Sequence, residues 1–280
     1  MSVSEKTLPI ILIDGDHDAS RGLNWKELWR NRELLFFFTW RDIVLRYKQT
    51  ALGGMWAIIY PLLSVGVFSI FFGRIAKIPS NGIPYALFSL SGLLLWIYFA
   101  NTVSRCSSSL VGNAHMINKV YFPRLLLPAA ATIPGIIDIF IASWVLLVGM
   151  VFYGFFPPLS ALLVLPLLVG GTAVLSLGLG MALGALNVRF RDVNNGIAFI
   201  LQMWMFATPV VYPISLIEPR YRWIAGLNPM TGYVEAFRAS LFQTPIDTTL
   251  LAMSGVLSVL ALVLGTYYFL QAEKTFADVI

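Results

Sequence analysis

Six stretches of continuous apolar sequence, at about residues 55–77, 84–104, 125–153, 159–187, 195–217 and 248–271, decide most of what this chain can fold into. A helix of about 20 apolar residues crosses the roughly 30 Å hydrocarbon core of a bilayer. Inside lipid the backbone finds no water, so each run must satisfy its own N–H and C=O groups as a helix. The runs are continuously apolar and do not alternate, which excludes a strand barrel. The expected fold class is an all-α polytopic membrane protein with six transmembrane helices. Only 12% of the 280 residues are charged, where a soluble domain carries about 25%.

The remaining chemistry-bearing residues are few. One cysteine, Cys106, rules out an intrachain disulfide, and two histidines, His17 and His115, leave little for a histidine-based metal site. The first 23 residues are polar and have no apolar core of signal-peptide length, so no cleaved signal is expected. "DGDHDA" at 14–19 resembles the start of a calcium loop but has Ala19 at the sharp turn and Trp25 where the bidentate Glu belongs. It reads as a solvated turn.

Basic residues orient the helices. One set of connections, with both tails, holds fourteen Lys and Arg and the alternate set holds five. Both termini are therefore expected in the cytoplasm, together with the charged, proline-broken interruption "HMINKVYFPRLLLP" at 115–128. The chain divides into a cytoplasmic tail at 1–23, an amphipathic interface helix at 24–50 and a six-helix transmembrane domain at 51–280. In the second of these, Trp25, Leu28, Trp29, Phe36, Trp40, Ile43, Val44 and Tyr47 recur at helical spacing, with Arg30, Arg41, Asp42, Arg46 and Lys48 largely elsewhere. Asn24 and Glu27 read as a capping box. Such a helix should lie in the headgroup layer.

No Gly-rich loop ends in Gly-Lys-Ser or Gly-Lys-Thr, so no ATP site is expected in this chain. "GLGMALG" at 178–184 imitates a dinucleotide fingerprint, but Ser176, Gly180 and Gly184 inside an apolar span instead fit a small-residue packing face. Asp138 is the only acid deep in a span, about 20 Å from the cytoplasmic end of its helix at about 1.5 Å per residue. It has two readings, a place in a translocation path or a hydrogen-bonded structural role. Trp56, Tyr60, Trp144 and Tyr212 fall near span ends as interfacial anchors, whereas Trp96 and Trp204 sit near mid-depth. With Tyr60, Asn101, Gln202 and Thr208, these two tryptophans and Asp138 form the candidate translocation path, against plain core packing or lipid contact for each aromatic. Pro209, Pro213, Pro219 and Pro229 break the apolar fifth connection, and a short helix after Pro229 would put Tyr233, Val234, Phe237 and Leu241 on one face. Glu235 would neighbour Arg238 on the other. This reads as a re-entrant outer gate made of Tyr233, Phe237 and Arg238.

Four segments occur in order: "RYKQTALGGMWAIIYPL", "INKVYFPRLLLP", "FRDVNNGIAFILQMWMFATPVVYPIS" and "LNPMTGYVEAFR". Together, over about residues 30–271, they resemble the type-2 ABC exporter permeases, the membrane subunits that export O-antigen, capsule or teichoic acid. The resemblance implies a homodimer in the plasma (inner) membrane that recruits two copies of a separate ATPase. That partner would bind ATP and Mg, and this chain would hold no cofactor, do no enzymatic chemistry and bind no nucleic acid. It also implies a coupling helix at Val111, Gly112, Asn113, Ala114, His115, Met116, Ile117, Asn118 and Lys119 that sits in a cleft of the ATPase, with Arg189, Arg191 and Asp192 as a second contact. A polyprenyl-diphosphate-linked glycan would be the substrate, its diphosphate received by Arg46, Lys48, Gly53 and Gly54 among the membrane lipids. Those four residues equally fit a positive-inside signal and a turn. A small-molecule or drug exporter of the same fold is the alternative.

Overall fold

The computed structural model describes residues 25–48, 53–190, 192–274 and 276, and among them every regular element is helical. The tail at 1–23, the Asn24 cap and Arg191 lie outside the described residues. The interface helix is two pieces, α1 (Trp25–Arg30) and α2 (Arg32–Lys48), joined at Asn31, whose side-chain amide donates to the Glu27 carbonyl at 2.9 Å. Trp25, Trp29, Phe36, Phe37 and Trp40 point outward from it, and Phe38 points into the protein.

The first membrane segment is α3 (Trp56–Phe68), prolonged by a π-helical stretch at Ser69–Ile75. The second, α4 (Tyr85–Gly112), runs two turns past the expected end at 104. In its polar last turns the hydroxyls of Ser107, Ser108 and Ser109 are satisfied within the helix, donating to the carbonyls of Ser104 and Cys106 at 2.7–3.0 Å. The expected coupling helix is consequently split. Val111 and Gly112 end α4, Asn113 breaks the chain direction, and α5 (Ala114–Ile117) is a single turn.

The third apolar run is broken into α6 (Leu126–Thr132) and α7 (Pro134–Phe152), because Pro134 has no N–H to continue the first piece and begins the second well. The fourth is one continuous helix, α8 (Ala161–Arg189). The fifth run departs most from expectation. Helix α9 (Val193–Ala207) has 15 residues, about 22 Å of rise, which falls short of a bilayer core. Thr208 precedes Pro209 and is extended, with ψ 141°. The chain then passes through two 3₁₀ turns into α10 (Arg222–Gly226) and α11 (Pro229–Phe242) before the last membrane helix, α12 (Thr248–Glu273). Five segments among the described residues are thus long and apolar enough to cross a membrane, α6 and α7 counting as one.

Helix α4 is the hub. Within its apolar stretch 78% of residues are buried, against 11% for the first segment, so the outer helices turn most of their surface away from the protein. Close approach depends on glycine at the crossings of α8. A Cβ on Gly265 of α12 would lie 2.0 Å from the Gly178 carbonyl oxygen, and one on Gly180 would lie 2.3 Å from the Cys106 Cβ of α4. The small-residue face read from Ser176, Gly180 and Gly184 is therefore a packing face. At the end of the bundle occupied by α2, Phe38, Phe122, Phe269 and Phe276 close a second apolar cluster.

Candidate functional site

Asp138 is not a lone acid in mid-span. The end of α2 lies beside α7, where Arg46 Nη1 forms an ion pair with Asp138 Oδ2 and Tyr47 Oη donates to Asp138 Oδ1 at 2.8 Å. Burial, then the hydrogen bond to Asp138, pushes the Tyr47 phenol up to about 12. Gly54 sits under the Tyr47 ring, where a Cβ would be 3.2 Å from Cε1.

The ion pair forms one wall of a cavity of about 240 Å³ lined also by Tyr60, Tyr98 and Asn101. Three residues read as translocation path, Tyr60, Asn101 and Asp138, thus meet there with Arg46, which was read as a headgroup contact. Lys48 is exposed, and neither Lys48 nor Gly54 lines this cavity. Arg46 also lines a second cavity, of about 310 Å³, on its other side. Arg105, read only as part of the positive-inside signal, lines that second space. No local pattern identifies Tyr47 or Arg105. The one clue is that an acid in an apolar span needs a cation or donor from elsewhere in the chain.

The mid-depth tryptophans have a different place. Trp96 is 3% exposed and packs on Phe99 and Trp204 with ring centroids 5.2 and 6.4 Å away. Trp204 Nε1 donates to Asn228 Oδ1 at 3.0 Å, and Asn228 Nδ2 donates to Thr208 Oγ1 at 2.8 Å. The same Asn228 oxygen caps α11 by accepting from the Met230 N–H at 3.1 Å. Trp96 and Thr208 are buried in the protein, and Trp204 is half-buried against the same cluster. The turn after α9 leaves polar groups inside an apolar environment, and these side chains satisfy them. Gln202 is exposed on α9.

The expected outer-gate helix exists as α11, but it is buried on nearly every face against α4, α8 and α12. Tyr233 shares a 2.9 Å hydrogen bond with Ser258, and Phe237 is 2% exposed. Arg238 is buried rather than on a polar face. It donates to the Pro209 and Val210 carbonyls at 3.2 and 3.0 Å and to Glu235 Oε1 at 3.0 Å, with its guanidinium 3.7 Å from the Phe88 ring centre. Tyr85 Oη donates to the Val211 carbonyl at 2.7 Å, so the proline-rich turn is held from two helices.

At the opposite end the loop after α4 presents His115, Asn118 and Lys119 outward and anchors itself with buried Ile117 and Phe122. Arg41 of α2 donates to Asn113 Oδ1 at 2.8 Å, and Phe38 of α2 packs on Phe122 with centroids 5.4 Å apart. Arg124 donates to the Glu273 carbonyl at 2.6 Å, at the end of α12. Arg189 and Asp192 are both exposed at the α8–α9 connection. Among the described residues no group of three or more His, Cys, Asp or Glu could hold a metal ion.

The sequence carries the same signal over most of its length. It is 29% identical over 257 residues to the O-antigen export system permease protein RfbA of Myxococcus xanthus, covering 90% of this chain and 97% of that one. It is 25% identical over 248 residues to RfbA of Klebsiella pneumoniae, covering 89% and 95%. The polysialic acid transport protein KpsM of Escherichia coli is 24% identical over 203 residues, covering 72% and 78%. Residues 33–242, from α2 to the end of α11, match the family model described as ABC-2 type transporter. This polytopic, all-helical membrane chain belongs to the ABC-2 type transporter family.

Proposed function

We propose that the chain is the membrane-spanning permease subunit of an ATP-driven exporter that moves lipid-linked cell-surface polysaccharide, of the O-antigen kind, across the bacterial inner membrane. The observation that carries this reading is similarity to O-antigen export permeases over 89–90% of the chain. It favours glycan export over drug efflux, because the relatives matched over most of their length are O-antigen export permeases and a polysialic acid transport protein. ATP and Mg belong, in this reading, to a separate ATPase. Two copies of it serve a homodimer of this chain, with both termini on the cytoplasmic side.

The loop at 113–125 is where that ATPase pushes. An inward displacement of Ala114–Ile117 reaches α2 through Arg41–Asn113 and Phe38–Phe122, and α12 through Arg124–Glu273. The loop therefore moves the interface helix and the last membrane helix as well as α6, which follows it in sequence. Arg189, Arg191 and Asp192 form the second ATPase contact. The cavity with Tyr60, Asn101, Arg46 and Asp138 borders the glycan's route, and Gln202 faces the same route from α9. Arg238, Tyr233 and Phe237 hold the proline-rich turn that closes the outer end.

Deleting this gene in its host and following the lipid-linked glycan tests the reading. The glycan should accumulate on the cytoplasmic leaflet and return to the surface on complementation. Unchanged surface glycan in the deletion strain would contradict it.

A further inference from the structure

The second cavity beside Arg46 lies between α2, α4 and α6 and is lined by Arg41, Asp42, Arg46, Arg105, Ser108, Ser109 and Asn113 among apolar side chains. Its size, about 310 Å³, is at the lower end of the range of small-ligand pockets. Two of its cations are already matched: Arg41 pairs with Asp42 at 2.9 Å and Arg46 with Asp138. Arg105 is half-buried and its guanidinium makes no hydrogen bond or ion pair among the described residues, although it lies in electrostatic range of Arg46, Asp138 and Asp42. Three guanidinium groups against two carboxylates leave one positive charge in a partly desolvated space, which an anion would offset.

We propose that this cavity is a phosphate-group site with Arg105 as its principal cation. The planar guanidinium offers paired N–H donors to phosphate oxygens, a geometry that a lysine ammonium lacks. Asn113 Nδ2 already bonds the Ser109 carbonyl at 2.7 Å and keeps a second N–H for the anion. The hydroxyls of Ser108 and Ser109, bonded to carbonyls one turn earlier, can rotate toward it. The site lies where α2 meets the membrane helices, within reach of a headgroup on that leaflet. Assigning the phosphate to a lipid rests on the exporter reading; the anion site itself does not.

The test is titration of the purified full-length chain with inorganic pyrophosphate and with farnesyl diphosphate, following ligand-dependent thermal stabilisation. Wild type should bind pyrophosphate, Arg105→Gln should weaken binding at least ~10-fold, Arg105→Lys should recover part of it, and the control Arg74→Gln should bind as wild type. Circular dichroism identifies any variant that fails to fold, in which case Ser109→Ala, expected to weaken binding less, replaces it. Farnesyl diphosphate competing at the same site identifies a lipid headgroup, and pyrophosphate alone identifies a soluble phosphate. Wild type binding neither probe, or Arg105→Gln binding as wild type, overturns the site. Glycan export that persists with no anion bound defeats only this inference. Pyrophosphate binding in a protein that exports no glycan defeats only the exporter reading.

Discussion

Tyr47 donates its phenolic proton to Asp138 Oδ1 at 2.8 Å, tying the interface helix to the third membrane segment across 91 residues of sequence. The same carboxylate holds Arg46, so one acid fixes the angle at which α2 meets the bundle. Asp138→Asn should therefore cost on the order of 1–3 kcal/mol, less than the ~3–5 for a fully buried pair because both side chains keep some solvent contact. Denaturation of purified protein in micelles measures it. The double variant Arg46→Gln/Asp138→Asn should be more stable than the sum of the single losses predicts.

Alkaline pH probes the same contact. The Tyr47 phenol is held above its ordinary value of 10.0, near 12, first by burial and then by Asp138. A phenol ionises more readily in the unfolded chain, so its contribution is complete below about pH 10 and is lost as pH rises through about 12. Tyr47→Phe should flatten that part of the stability profile, as read by thermal melts across the window.

Arg238 is the second point of tension. Arg238→Ala removes bonds to the Pro209 and Val210 carbonyls and leaves the half-buried Glu235 without its cation. A loss of about 2–4 kcal/mol is expected from stranded buried polar groups. Gly92→Ala should be damaging for the same reason, since a Cβ there would be 2.8 Å from Arg238 Nη2 and 2.9 Å from the Val210 oxygen. Proteolysis of the proline-rich turn in membranes would report both.

The α8–α12 crossing predicts a sharp contrast between glycines. Gly265→Ala places a methyl 2.0 Å from the Gly178 carbonyl oxygen and should sharply reduce folded yield, whereas Gly170 and Gly255 have nothing within 4 Å of an added Cβ. Alanine at those two positions should leave the yield unchanged on size-exclusion chromatography and add a little helix propensity.

Much of this was legible in the residues, and what was not has physical causes. Apolar run length located α3, α4, α8 and α12 because lipid permits one backbone solution. The fifth run is longer than the helix it forms, because hydropathy does not register that Pro209 and Pro213 cannot carry a helix. The Glu235–Arg238 spacing, three residues apart, correctly gave a contact but suggested a solvated face. Carbonyls freed by the prolines gave Arg238 a buried destination instead. The Trp96–Trp204 contact was not legible, since depth alone does not say which side of a helix faces protein. Asp138 needed a cation, and only folding selects Arg46 from nineteen Lys and Arg.

Coupling is tested by the loop. Replacing 112–119 with a flexible linker should leave ATP hydrolysis by the partner ATPase and abolish transport. Asn113→Ala, which breaks the Arg41 contact and the bond to the Ser109 carbonyl, should lower transport severalfold at unchanged hydrolysis. Paired ATPase and transport assays on the same complex measure both.

The central claim is tested most directly by reconstituting the purified chain with its partner ATPase in vesicles and supplying labelled polyprenyl-diphosphate-linked glycan on the ATPase side. The account predicts ATP-dependent, vanadate-sensitive movement of the glycan to the opposite leaflet, with no comparable movement of small drugs. ATP-driven transport of the drugs with the glycan left in place would contradict it.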